Sequence, residues 1–224
     1  HFTVVANSAD ASLNIENATG NLESLDVSSA WDYAHAQVQM TLDGSVGVMH
    51  INAGYIGSVD VNLSMSAGHM VDTTYIQMGE YSGADVVINQ GGSHGGDVYV
   101  SGNSGDVAHN DGALQLTYMN GSTADNVYLG YADAWAYEQG YNSHSFEQVD
   151  IQLNFNDLDL AASNSALTDH MMKIYGFDGA AGDSISFGGV ANDGLDVIEG
   201  ASANVAAFLA NADTLLDSDT SYVF

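Results

Sequence analysis

The chain has 224 residues, 46% of them hydrophobic and none of them cysteine or proline, so it holds enough apolar material for a core but no disulfide or thiolate metal site. Against 29 acidic residues stands one base, Lys173, giving a formal net charge of −28. That balance excludes nucleic acid, whose phosphates are held by clustered Lys and Arg, and it disfavours an anionic membrane surface.

In chain order, Phe2-Thr3-Val4-Val5 reads as an apolar terminal strand. From about residue 22 to residue 155 the sequence is a series of short alternating or β-branched runs separated by Gly, Asn, Asp and Ser. The clearest are Leu22–Val27, Val38–Leu42, Val48–Ile51, Val59–Leu63, Tyr75–Met78, Val86–Ile88, Val98–Val100, Leu114–Tyr118, Val127–Leu129 and Val149–Leu153. Two such runs make a unit of about 20–30 residues, the period that repeat architectures favour. Proline, which cannot donate to a ladder, is absent throughout. No apolar run reaches the ~18 residues of a membrane span, so no membrane insertion is expected.

After residue 156 the pattern changes. Ser163 to Tyr175 has the composition of a short helix, with Ile174-Tyr175 and Ile185-Ser186-Phe187 as strands around a Gly-Asp turn. Ser202 precedes Val205, Phe208, Leu209, Ala212, Leu215 and Leu216, the spacing of an amphipathic helix with an N-cap. Tyr222-Val223-Phe224 is a strand start. The expected fold is all-β: a β-solenoid, parallel and β-helix-like, over residues 1–160, with a small β/α region over 161–224. A β-sandwich would share the run spacing and is the alternative.

Two stretches carry a family resemblance. Asn14-Ile15-Glu16-Asn17 with Leu22–Ser29 is similar to the segments that begin coils in S-layer β-strand-repeat proteins. Gly176–Phe187, followed by Ala203–Leu216 and Asp219–Phe224, resembles the bluetail-type C-terminal region of RTX and S-layer-like bacterial proteins exported by type I secretion. The resemblance implies an extracellular or cell-surface location and binding of calcium. The family's calcium nonapeptide occurs only in broken form, as Gly91-Gly92-Ser93-His94-Gly95-Gly96-Asp97-Val98-Tyr99, one residue too long. In the family the C-terminal region runs on past the point that corresponds to Phe224, so residue 224 is expected not to be a natural boundary.

So large an excess of one charge repels itself in the compact state, and divalent cations are the simplest neutraliser. Calcium takes carboxylate, amide and carbonyl oxygens, the donors that Asp-rich and Gly-rich turns present. Asp178 and Asp183, in the turns that carry the resemblance, lead the candidates, with Asp97 and Asp106 next. The alternative is that these side chains close turns by hydrogen-bonding backbone. No histidine pair has the i, i+4 spacing of a zinc hydrolase, no Gly-x-Ser-x-Gly elbow occurs, and no arginine is present to bind an acidic sugar. A non-enzymatic protein is therefore expected: a structural subunit polymerising with itself through Phe2, Val4 and Val5 at one end and Tyr222, Val223 and Phe224 at the other. An adhesin or carbohydrate-binding module contacting cell-surface glycan is the second reading. Tyrosines in or beside strands, such as Tyr75, Tyr99, Tyr118, Tyr128 and Tyr131, suit a sugar-binding face, and suit still better half-buried packing or subunit contacts.

Overall fold

A computed structural model describes residues 1–30, 33–91, 94–102, 113–119, 122–141, 148–154, 172–177, 183–188, 196–198 and 220–223. They form a parallel β-solenoid. One sheet runs in the order β1 (Phe2–Ala6), β3 (Leu22–Ser29), β5 (Val46–Ala53), β7 (Val71–Met78), β10 (Asp97–Gly102), β13 (Asn126–Leu129) and β15 (Lys173–Tyr175). The second runs β2 (Ala11–Thr19), β4 (His35–Asp43), β6 (Ser58–Met65), β8 (Gly83–Asn89), β11 (Ala113–Met119), β14 (Gln148–Asn154) and β16 (Ser184–Gly188). The chain thus alternates between sheets, one strand of each per coil. β9 (His94–Gly95) pairs with β12 (Thr123–Ala124), and β17 (Asp196–Ile198) pairs with β18 (Thr220–Val223). Every one of these pairings is parallel. A β-sandwich, built from antiparallel sheets, is thereby excluded.

Alternation along each strand explains the coil. Inward positions are aliphatic and line up from coil to coil, so each buries its neighbour. In the second sheet Leu13, Val38, Val61, Val86, Leu116, Ile151 and Ile185 form one column through all seven strands. In the first, Val4, Val27, Ile51, Ile76, Val100 and Leu129 do the same. Most of these side chains are fully buried. At about 25 cal/mol per Å² of apolar surface, burial of this column-on-column core is the main stabilising term.

Partners on adjacent strands lie 23 to 25 residues apart in the early coils, as in His1–Ser24, Asp26–His50 and Asn52–Gln77. Later coils are longer: Asp97 and Asn126 are 29 apart, Val149 and Asp183 34. The extra length goes into connections, which tolerate it, while the strands keep register. β15 and β16, which lie beyond residue 160, extend the same two sheets.

One element was not expected from the sequence. α1 (Ala134–Gln139) occupies the connection between β13 and β14, where Asp133 Oδ1 accepts from Ala136 N at 2.8 Å and Gly140, at φ 71°, ends the helix. Six residues are too few to show a helical period; the cap residues alone define it. Conversely, Ile174-Tyr175 is in β15, and most of the helix expected over 163–175 lies outside the described residues, as does that over 202–216. Among the described residues no helix is long and apolar enough to cross a membrane.

Candidate functional site

The outward face of the first sheet carries the most ordered side-chain array. Strict register places Thr3, Asp26, His50, Tyr75, Tyr99, Tyr128 and Tyr175 in one column, one residue per strand from β1 to β15. Because adjacent strands are about 4.8 Å apart, aromatic rings at matching positions meet at stacking distance. Ring centroids are 5.3 Å apart for His50–Tyr75, 5.4 Å for Tyr75–Tyr99, 4.8 Å for Tyr99–Tyr128 and 4.9 Å for Tyr128–Tyr175, with planes within 17° of parallel. α1 closes over the far end. Tyr137 packs 4.6 Å from Tyr128 and 5.1 Å from Tyr175, and Tyr131 meets Tyr137 edge-on.

The phenols of Tyr99 and Tyr128 are held neutral. Tyr99 donates to Asp97 Oδ2 at 3.0 Å, and Asn126 Nδ2 donates to Asp97 Oδ1 at 2.7 Å. Desolvation raises Tyr99 first, and its hydrogen bond to Asp97 adds to the effect. Tyr128 is pushed up to about 12, by desolvation and then by the charge of Asp97. Neither ring can serve as a base or nucleophile at neutral pH.

Beside the ladder lies a shallow cavity of about 290 Å³ lined by Asp72, Tyr75, Gly96, Asp97, Tyr99 and Asp125. It is acidic, yet among the described residues no three His, Asp or Glu side chains converge as a metal site. At the amino-terminal end, Asp26 is shared by two imidazoles: His1 Nε2 is 3.3 Å from Oδ2 and His50 Nδ1 2.7 Å from Oδ1. His35–Asp60 at 3.3 Å and His69–Asp43 at 3.6 Å make similar contacts between coils. With a single lysine in the chain, the described carboxylates meet histidine rings and not Lys or Arg in these contacts.

Of the four candidate calcium residues two are described. Asp97 is in β10 with the two partners above. Asp183, immediately before β16, is buried and accepts from Val149 N of the neighbouring coil at 3.1 Å. Asp106 and Asp178 lie outside the described residues. Of the terminal contact residues, Phe2 and Val5 are exposed and Val4 is buried; Tyr222 and Val223 lie in β18, and Phe224 is outside the described residues. Strand tyrosines split in two. Tyr118 faces the core at 1% exposure, whereas Tyr75, Tyr99 and Tyr128 cover each other's ring faces and turn only edges and hydroxyls outward. A sugar stacks on a ring face, so this column does not offer a glycan platform. Sequence reasoning missed His50, Tyr137 and Tyr175 as ladder members; the recurrence of aromatics one coil length apart was the available signal.

Compared with family models, with curated proteins and with solved structures, the chain matches none.

Proposed function

We propose that the chain is an extracellular structural subunit that adds end to end into a surface layer or filament, with calcium neutralising its carboxylates. One observation carries this reading: among the described residues, no strand covers the apolar columns of the first coil. Phe2 heads an inward column above Leu25 and yet is 37% exposed. Leu13 and Ile15 head the columns of the second sheet and are only partly buried. No described strand pairs with the outer edge of β1 or β2. Such an edge presents unpaired N–H and C=O groups at the spacing every coil of this protein uses, so a terminal coil of a second copy is its matching occupant.

The array on the first sheet supports a structural role as well. Stacked rings and His–Asp contacts all join one coil to the next, which stiffens the stack along its axis. The proposal is tested by deleting residues 1–9, which removes β1. Sedimentation velocity at rising concentration is expected to show large assemblies for the full chain and monomer for the shortened one, with the strand signal in circular dichroism retained. Assembly unchanged by the deletion would sink the proposal.

A further inference from the structure

We propose that the corner of the solenoid where the chain passes from the first sheet to the second is a binding track for a neutral polysaccharide strand. The observation is one of placement. Tyr33 lies between β3 and β4, Tyr55 between β5 and β6, Tyr81 between β7 and β8, Trp135 and Tyr141 between β13 and β14, and Phe177 between β15 and β16. These six are 37–82% exposed, and apart from Phe2 they are all the large exposed aromatics among the described residues. The opposite corner, from the second sheet back to the first, carries Gly20, Asn21, Gly44, Ser45, Ser66 and His69 instead, and among the described residues Met70 is its one large exposed hydrophobic side chain. Among the described residues, exposed rings therefore gather on one corner, on five of its connections.

The row is rigid. Tyr81 N donates to Tyr55 O at 2.9 Å and Tyr33 N to Ile56 O at 3.3 Å, so successive turns are hydrogen-bonded as the strands are. Glycines let these turns close up: a Cβ on Gly54 would stand 2.3 Å from Ser29 O, and one on Gly79 2.4 Å from Gly54 O. Farther along, the caps of α1 fix Trp135, at 62% exposure, beside Tyr141, with ring centroids 5.3 Å apart. Ligands that bind such preorganised rings lose little to ordering the protein.

The chemistry selects the occupant. A pyranose has a face of C–H groups, which an aromatic ring accepts, and a rim of hydroxyls, which need acceptors. Glu80 and the exposed Glu138 lie on the same connections to supply them. A net charge of −28 with one lysine repels uronic or sulfated chains. A second copy would bring the same net charge of −28 to this corner and be repelled, whereas a neutral polysaccharide carries no charge to oppose.

The test is native electrophoresis in chelating buffer through gels containing hydroxyethylcellulose, mixed-linkage β-glucan or galactomannan, beside a gel containing alginate. The full chain is expected to be retarded by at least one neutral polymer and not by alginate. The double substitution Tyr55→Ala, Trp135→Ala is expected to weaken the retardation at least tenfold while circular dichroism stays unchanged; Trp135→Ala alone serves if the pair fails to fold. No retardation in any neutral gel, equal retardation in alginate, or retention that survives the substitutions would overturn the proposal. So would a change in sedimentation of the variants without polysaccharide, which would make the corner a contact between copies. Failure of this proposal leaves end-to-end assembly standing, since the two use different surfaces.

Discussion

Asp60 and Asp85 stand side by side on adjacent strands of the second sheet, both outward. Partial burial, then the charge of Asp60, raises the Asp85 carboxyl above its ordinary value. A carboxyl whose folded pKa is raised favours the folded state most when protonated. Its contribution is complete below the unfolded value of about 3.9 and is lost as pH rises through the folded one. Asp85→Asn is accordingly expected to raise the thermal midpoint at pH ~7, where the repulsion is present, and to leave it unchanged at pH ~3. Solvent screens this outward site, so the gain is at most about 1 kcal/mol, or roughly 2–4 °C. Equal midpoints for the two proteins at neutral pH would contradict a repulsion between Asp60 and Asp85. Gly96 is the steric counterpart. A Cβ there would stand 1.7 Å from the Asp72 carbonyl oxygen of the preceding coil. Gly96→Ala is expected to cost about 3 kcal/mol in denaturant unfolding, because backbone and not a flexible side chain must move.

Ladders between coils are the elements that set this protein apart from a plain stack of strands. Tyr128 stacks on Tyr99 and Tyr175 and touches Tyr137. Tyr128→Ala is expected to lower unfolding free energy by about 3 kcal/mol, and Tyr128→Phe by less than about 1, since the stack needs the ring and not its hydroxyl. Equal losses for both would place the value in the hydroxyl instead. The strands themselves were legible in the sequence: Val59–Leu63 became β6 and Val149–Leu153 became β14 because aliphatic alternation is a local property. Register between coils is not local. It depends on connection lengths that vary from a few residues to a capped helix, so that Tyr75, Tyr99 and Tyr128 read as strand residues without revealing that they stack on one another. Likewise the corner aromatics Tyr55 and Tyr81 lie in turns and Trp135 in a six-residue helix, where no periodicity marks them.

Across the whole molecule one rule makes the fold. Each described coil buries its apolar columns on the next, and in the first of them Phe2, Leu13 and Ile15 stay partly exposed. Twenty-nine acidic residues on so regular a body oppose the approach of a second copy unless cations intervene, which joins the calcium proposal to the assembly proposal. Negative-stain electron microscopy of the full chain, in millimolar calcium and again after chelation, tests both at once. Filaments or sheets with the solenoid axis along the assembly direction, dissolving on chelation, are the predicted result. Monodisperse particles in both conditions would contradict end-to-end assembly.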